Sequence, residues 1–362
     1  MKARIRDAAI AMTAVSTAVA LAACGAGAGN DSDGGNTPEI GLLLPDATTD
    51  RWEAQDRPSF EKKIKELCDD CTVEHGNAEG SVAVQRQQMD SMITKGVDAI
   101  VLVAVDARSL GAAVRKADEA DIPVIAYDRL AAGPISGYVS FDGEDVGRLQ
   151  GRALLQAMGA TVPDGQIVMM NGDPSDPNAA AFKKGALSVL EGRVRIGKAY
   201  DTLQWRTETA NMNMSSAISA LGADNLDGVY AANDGLAAGS ISALKANKVN
   251  PLPPVTGQDA ELGALRRMVT GDQYMTVYKP FGRQASAGAT MAVAAARGEK
   301  LDRVATGEVE TSSGNAVPAV LLTPVSVTVD NIEDTLVKDR VYTIQQICTP
   351  QLEAACKRAG LT

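Results

Sequence analysis

The chain has 362 residues, 45% of them hydrophobic, and a formal net charge of −10. This acidic balance argues against nucleic acid and anionic lipid surfaces as partners. The single histidine, His75, excludes most zinc sites and every catalytic triad or dyad that does not use it, and we expect neither a metal nor an organic cofactor.

The amino-terminal segment has the pattern of an export signal. Lys2, Arg4 and Arg6 precede a short apolar run that ends in small residues, which predicts a signal peptide over residues 1–23. Cys24 follows directly, so its thiol could carry a lipid that holds the mature chain at the outer face of a bacterial membrane, on the periplasmic or extracellular side. The alternative is an ordinary secretory signal with a chance cysteine.

Residues 24–38 are mostly Gly, Ala, Ser, Asn and Asp, a composition typical of a flexible tether. The first 23 residues carry three positive charges and one negative, so the mature chain would have a net charge of −12. No later apolar stretch is long enough to cross a bilayer, so we expect membrane contact through the lipid alone. The remaining ~340 residues exceed what one core usually supports, which favours two domains.

The first half of the mature chain alternates short apolar runs with longer helical patterns. Branched and apolar residues predict strands at 40–44, 99–103, 123–127 and 138–141, with a further short strand at 72–75 in which His75 is structural. Apolar residues at helical spacing predict helices at 53–67, 81–95 and 107–120. This alternation implies a parallel sheet covered on both faces.

The same order of elements then starts again. Strands are predicted at 166–170, 195–200, 227–231, 254–257 and 274–278, and helices at 179–190, 208–221, 235–246, 262–270 and 284–297. The last apolar run, 317–329, contains Pro318 and Pro324, so it is too interrupted for one central strand and suits a segment that passes between domains. The fold class predicted is therefore α/β, with two doubly wound parallel sheets.

The four cysteines other than Cys24 are clustered in two pairs. Export to an oxidising compartment makes them disulfide candidates, and their spacing suggests the local bridges Cys68–Cys71 and Cys348–Cys356. Other pairings stay open from sequence alone. A redox-active role for the first pair is disfavoured because the two acidic residues between the sulfurs oppose a low thiolate pKa.

Polar side chains follow the predicted strands at their carboxyl ends, where open parallel sheets bind ligands. After the first half's strands come Asp50-Arg51-Trp52 and Asp128-Arg129. After the second half's strands come Asp176 with Asn178, Trp205, Asn233-Asp234, Gln258-Asp259 and Lys279. The ends of several strands thus bring carboxylates, amides, cations and tryptophan to the same edge.

The only two tryptophans, Trp52 and Trp205, both follow strands, one in each half. A single loop tryptophan often covers a core, but a pair at binding edges favours a stacking role. A pyranose offers C–H faces to flat rings and a rim of hydroxyls to polar groups, and each ring contributes roughly 1 kcal/mol beyond area burial. Charge-assisted hydrogen bonds would fix the sugar's orientation, from Asp128, Arg129, Asp176, Asp259 and Lys279.

The strand-end motifs resemble those of bacterial xylose-binding proteins, the substrate-binding components of sugar ABC transporters. The matching runs are Asp50-Arg51-Trp52, Val124 to Arg129, Tyr138 to Asp142, Ala232-Asn233-Asp234, Gly257 to Ala260 and Met275 to Pro280. The resemblance implies the type I periplasmic binding protein fold, in which two lobes joined by three crossovers enclose a sugar. The crossovers would lie near 141–142, 280–281 and 320–324, giving an N-terminal lobe of 39–141 plus 281–322 and a C-terminal lobe of 142–280 plus 323–362.

Carried over by this resemblance, the stacking rings would be Trp52 and Trp205. The polar ligand contacts would be Arg51, Asp128, Arg129, Asp176, Asn178, Asn233, Asp259 and Lys279. The family often has Asp-Asn-Asn where this chain has Asp176-Pro177-Asn178, and a small polar residue at the position of Ala232. One altered hydrogen bond can separate xylose from glucose or a polyol, so the exact ligand and its anomer stay open.

Three functions are compatible with these patterns. The first is a monomeric, lipid-anchored receptor that delivers a monosaccharide to an ABC transporter permease. The second is a secreted glycosidase with two strand-end carboxylates as acid and base, which is disfavoured because Arg129 and Lys279 would hold those carboxylates ionised. The third is a lipoprotein that presents the sugar to a signalling receptor. Sugar-responsive repressors share the lobed fold, but here an export signal stands where their DNA-binding helices would be.

Overall fold

The computed structural model describes residues 37–361. The predicted signal peptide, Cys24 and the tether up to residue 36 lie outside the described residues. The strands are β1 (Glu39–Leu44), β2 (Thr72–Asn77), β3 (Ala99–Leu102), β4 (Val124–Tyr127), β5 (Gly137–Phe141), β6 (Gln166–Asn171), β7 (Arg195–Asp201), β8 (Gly228–Ala231), β9 (Met275–Tyr278), β10 (Gly307–Glu310), β11 (Ala316–Leu322) and β12 (Val325–Thr328).

The helices follow the strands in the predicted alternation. They are α1 (Arg57–Leu67), α2 (Val82–Lys95), α3 (Gly111–Glu119), α4 (Gly143–Met158), α5 (Pro177–Leu190), α6 (Thr207–Leu221), α7 (Asp234–Ala246), α8 (Leu262–Thr270), α9 (Phe281–Ala296), α10 (Ile344–Ile347) and α11 (Glu353–Arg358). Among residues 37–361, no helix combines the length and apolar character needed to cross a membrane.

Seven strands form the first sheet, in the order β10-β11-β5-β4-β3-β1-β2. All pairs are parallel except β10 with β11. Alternate side chains of a strand point to opposite faces, so Leu42 packs in one core with α1 and α9, and Leu43 packs in another with α2 and α3. Burial on both faces explains why β1, β3 and β4 have near-continuous apolar sequences.

The second sheet has the order β7-β6-β8, and β9 pairs with β12 in an antiparallel ladder beside it. The predicted strand at 254–257 is reduced to a single parallel bridge between Val229 and Val255. Pro253 and Pro254 have no N–H to donate, which explains why a longer ladder does not form. This segment still joins β8 to β9, because Tyr274 N donates to Val255 O and Val277 N donates to Gly257 O.

The chain crosses between the two sheets three times, after β5, after β9 and between β11 and β12. The run at 317–329 therefore passes from one sheet to the other, as its two prolines suggested. Pro318 nevertheless lies inside β11, opposite Glu308 of β10, and the parallel pairing with β5 starts only at Ala319. Helix α4, strand β10 and the short helices α10 and α11 were not predicted from the sequence.

Two disulfides are present, Cys68–Cys71 after α1 and Cys348–Cys356 between α10 and α11. Each closes a local loop, of sequence separation 3 and 8 respectively. Neither therefore links the segments that carry the two sheets. Cys356 belongs to a separate apolar cluster in which the carboxyl-terminal residues pack on α8.

Helices α4 and α5 cross with their backbones in contact. A Cβ atom at Gly147 would lie 1.9 Å from Phe182 O, and one at Gly185 would lie 2.0 Å from Glu144 O. Only glycine permits so close an approach, so these two residues determine how α4 sits against the second sheet's helical layer.

We expect Gly147→Ala to lower the free energy of unfolding by about 1–3 kcal/mol, because the added methyl group forces the two helices apart. Gly282→Ala is the matched control, since a Cβ there meets no atom within 4 Å; it should be neutral or stabilise by about 0.5–1 kcal/mol. Urea unfolding followed by circular dichroism measures both. Equal effects of the two substitutions would contradict the close helix contact.

Candidate ligand-binding site

A cavity of about 280 Å³ lies where the carboxyl ends of the two sheets' strands face each other. The first sheet's loops contribute Thr49, Trp52, Asp128 and Arg129. The second sheet's loops and helix starts contribute Asp176, Asn178, Phe182, Trp205, Asn233, Gln258, Asp259 and Lys279. Nine of the ten ligand-contact residues predicted from the sequence are on this wall, and the tenth, Arg51, is not.

Both tryptophans are buried in the cavity wall, with 3% of Trp52 and 6% of Trp205 exposed. The ring of Trp205 lies on Gly172, where a Cβ atom would be 2.0 Å from the ring, and it meets Phe182 edge-on at a centroid distance of 6.4 Å. Neither indole N–H has a hydrogen-bond partner among the described residues. Phe182 was missed by the strand-end reasoning because it lies inside α5.

Arg51 lies behind the cavity wall. Its guanidinium is stacked between the rings of Trp52 and Phe281, 4.3 and 4.5 Å from their centroids. Nη1 donates to Asp128 Oδ2 at 3.0 Å, and Nη2 donates to Gln284 Oε1 at 2.6 Å. Arg51 thus supports one face of an indole and one carboxylate of the cavity, and it lines a neighbouring cavity instead.

Asp56 holds Arg51 in this position. Its carboxylate accepts from Arg51 Nε at 2.7 Å and from Nη2 at 2.8 Å, and it also accepts from Tyr127 Oη. The segment Trp52–Asp56 is π-helical, and its wider turn places residues five positions apart side by side. This turn was not predicted, because the apolar spacing indicated one regular helix from residue 53.

Three buried cations and four buried carboxylates form one network around the cavity. Arg129 Nε lies 2.8 Å from Asp176 Oδ2, an ion pair that joins the two halves. Lys279 Nζ lies 3.0 Å from Asp259 Oδ1 and 3.7 Å from Asp128 Oδ2. The other members are Arg51 and Asp56.

Asp128 is the carboxylate on which most of this positive charge acts. Burial would raise its pKa, but the charges of Lys279, Arg51 and Arg129 together lower the pKa to about 2. The carboxylate is therefore ionised at neutral pH and can only accept hydrogen bonds. Asn178 Nδ2 from α5 already donates to its Oδ1 at 2.9 Å, across the gap between the sheets.

Three cavity residues have left-handed backbones, with φ of +62° at Asp128, +53° at Trp205 and +92° at Asp259. Each such conformation in a non-glycine residue costs of order 1–3 kcal/mol and persists only where its surroundings impose it. At Asp128 the surroundings are Tyr138 Oη and Ser140 Oγ, which both donate to its backbone carbonyl. The fold therefore holds these side chains in fixed directions.

Asp234 supports the loop that carries Asp259. Its fully buried carboxylate accepts from Gln273 Nε2, Thr276 Oγ1 and Glu261 N, at 2.7, 2.9 and 2.9 Å. Burial raises the pKa of Asp234 to about 7. This residue follows β8 directly, as the strand-end pattern indicated, but it faces the supporting loop and not the cavity.

His75 is placed on the edge strand β2, with Nε2 3.3 Å from Glu53 Oε1. It does not line the cavity, and burial lowers its pKa. In the part of the chain that the structure describes, the one group of three possible metal-binding side chains is Cys68, Asp70 and Cys71, whose two sulfurs are joined in a disulfide.

Residues 40–300 match the family model described as periplasmic binding protein domain. The chain is 35% identical to the D-xylose-binding periplasmic protein of Haemophilus influenzae over 315 residues, which cover 85% of this chain and 92% of that protein. It is also 35% identical to the D-xylose-binding periplasmic protein of Escherichia coli over 310 residues, covering 83% and 90%.

The structure resembles solved structures over most of its length. An ABC transporter solute-binding protein from Clostridium phytofermentans, solved with bound β-D-glucose, superimposes with a TM-score of 0.78. The two chains are 31% identical, and the match covers 85% of this chain and 99% of that one.

We expect Asp56→Asn to lower the free energy of unfolding by about 3 kcal/mol, because it removes the nearest charged partner of the buried Arg51. Glu61→Gln on the same helix is the control. Its carboxylate pairs with Arg57 Nε at 2.8 Å, but 41% of the side chain is exposed, so the loss should stay below about 0.5 kcal/mol. Chemical denaturation compares the two, and a loss at Asp56 no larger than the control's would contradict its supporting role.

Proposed function

The chain belongs to the periplasmic binding protein family, and on that basis we propose that it is a lipid-anchored receptor outside the cytoplasm that binds a monosaccharide and delivers it to the permease of an ABC transporter. Xylose or a related aldose is the ligand we favour. The observation that carries this proposal is a cavity whose wall combines two indoles with three carboxylates and three amides. Membership of a family of binding proteins also confirms the prediction that the chain is not an enzyme, which removes the glycosidase alternative.

Binding would take place between two lobes, 39–141 plus 281–322 and 142–280 plus 323–362. The three crossovers near 141–142, 280–281 and 320–324 would form the hinge. Arg129–Asp176 and Asn178–Asp128 join the two sides, as the closed form of such a receptor would require. A sugar that contacts both lobes would shift the equilibrium between open and closed forms toward the closed form. The size of the shift is set by the difference between the sugar's affinities for the two forms.

The polar atoms of the wall are suited to a neutral polyhydroxylated ring. The indole N–H groups of Trp52 and Trp205, and Gln258 Oε1, are buried without hydrogen-bond partners among residues 37–361. Each such group costs about 1–3 kcal/mol while it is unpaired. Sugar hydroxyls both donate and accept, so a bound sugar can supply hydrogen-bond partners for such groups. Its C–H faces can pack on indole rings.

The direct contacts we propose are Trp52 and Trp205 for the ring faces. Asp128, Arg129, Asp176, Asn178, Asn233, Asp259 and Lys279 would bind the hydroxyls. Arg51 would contact the sugar only if its guanidinium extended beyond the ring of Trp52. In the position described, it holds the Asp128 carboxylate and the Trp52 indole in place. The relatives are named for D-xylose and the solved neighbour holds β-D-glucose, so pentoses and hexoses are the first ligands to test.

We expect D-xylose or D-glucose to bind in isothermal titration calorimetry, and Trp205→Ala to weaken that binding by at least about tenfold, or 1.4 kcal/mol, through loss of a stacked ring. Leu203→Ala is the control, because Leu203 lies in the same short turn, is 62% exposed and does not line the cavity. Trp205→Phe keeps a ring and should bind with intermediate affinity. Unchanged affinity in a folded Trp205→Ala protein would contradict the stacking role.

Anchoring is proposed from the sequence of residues 1–38. If Cys24 is lipidated after removal of residues 1–23, the exported protein should partition into detergent. Cys24→Ser should release it into the soluble fraction without changing sugar affinity. Detergent phase separation followed by mass spectrometry of the amino-terminal peptide measures this, and an unmodified Cys24 in the exported protein would refute the anchor.

A further inference from the structure

A second cavity, which we call the outer cavity, adjoins the proposed sugar cavity. Arg129 and Trp205 line both, so these two side chains form the partition between them. The outer cavity, which is partly open to solvent, has a volume of about 620 Å³, against about 280 Å³ for the sugar cavity. It therefore has room for a group attached to a sugar in the inner cavity.

The outer cavity is bounded by contacts between the two sides of the cleft. Ser175 Oγ lies 3.5 Å from Val105 O, and Ala107 N donates to Ser175 O at 3.4 Å. At another point of the rim, Gln204 Nε2 lies 3.5 Å from Gly80 O. The space is thus formed by the closed arrangement itself and remains beside the sugar cavity when that cavity is shut.

The lining of the outer cavity combines charged groups with apolar surface, which suits the hydroxyls and the C–H faces of a sugar ring. Asp46 and Asp173 are buried carboxylates on opposite sides, and the guanidinium of Arg129 lies between, with Nη2 3.8 Å from Asp46 Oδ2. Val82 and the indole of Trp205 add apolar surface. Trp205 N–H is buried and unpaired in the described structure, so the partition itself carries a donor without a partner.

We propose that the outer cavity is a second subsite, which holds a substituent attached through oxygen to the sugar in the inner cavity. The ligand class then includes disaccharides and other glycosides as well as free monosaccharides. This inference rests on the proposed function, since it requires a sugar in the inner cavity. In a 1,4-linked disaccharide one ring is substituted at C1 and the other at C4, so either ring can occupy the inner cavity with the linking oxygen at the partition formed by Arg129 and Trp205.

Calorimetric titration of the full mature chain with D-xylose, xylobiose, D-glucose and cellobiose tests the subsite. We expect at least one disaccharide to bind within about tenfold of its monosaccharide, a difference of 1.4 kcal/mol. Val82→Trp should fill the outer cavity and weaken that disaccharide by at least about tenfold, while the monosaccharide changes by less than about twofold. Val84→Trp is the control, because Val84 lies on the same helix, is 38% exposed and lines neither cavity.

Arg206→Ala provides a second variant that does not alter the core, since Arg206 is exposed at the start of α6 and lines the outer cavity. It should weaken the disaccharide several-fold and leave the monosaccharide unchanged. The subsite is refuted if monosaccharides bind and no disaccharide does, or if Val82→Trp weakens both kinds of ligand equally. If none of the four sugars binds, the result contradicts the proposed sugar-binding function, and the subsite proposal that depends on it is refuted as well.

Discussion

The charges around the cavity can be buried only because each one has an oppositely charged partner within 3.0 Å. Moving an ion from water into a protein interior costs several kcal/mol, and the cost is offset only when partners are close and well oriented. Arg129 meets its partner Asp176 across the cleft at 2.8 Å. Arg51, bound to Asp56 on its own side, also approaches Asp259 of the opposite side at 3.7 Å. These contacts across the cleft therefore satisfy charges that would be exposed to water if the two sides separated.

Backbone geometry determines where these charges lie. Parallel strands that end at one edge bring Asp128 and Lys279 into reach of each other, and left-handed turns at Asp128 and Asp259 aim both carboxylates inward. The π-helical turn at Trp52–Asp56 sets Arg51 against Asp56. Gln284, in the first turn of α9, then joins Arg51 to Asp128 through its two amide atoms, at 2.6 and 3.3 Å. One of the three crossovers between the sheets directly precedes α9. Gln284 of α9 therefore connects Asp128 to the segment that follows this crossover.

Much of this arrangement was predictable from the sequence, and the failures have physical causes. Apolar runs and helical spacing located most of the strands and helices, although α4 was missed, and nine of the ten contacts predicted from the positions after the strands lie on the cavity wall. The family and the type I fold inferred from these motifs are confirmed by the matches to known proteins. Asp56, Phe182 and Gln284 were missed because each lies within a helix. The spacing of apolar residues predicts which helical positions are buried, but it does not predict which side chains a buried residue contacts. Arg51 was expected in the wall because sequence cannot show the π-helical turn that draws it behind Trp52.

The placement of the two indoles has a practical consequence. Because the chain has only these two tryptophans, and both lie in the wall of one cavity, its entire tryptophan emission originates from the cleft. One ring is covered by a guanidinium and the other rests on a glycine, so the two fluorophores sit in unlike surroundings. Any event that changes the hydration of the cleft should therefore change the tryptophan fluorescence, with no background from tryptophans elsewhere in the molecule.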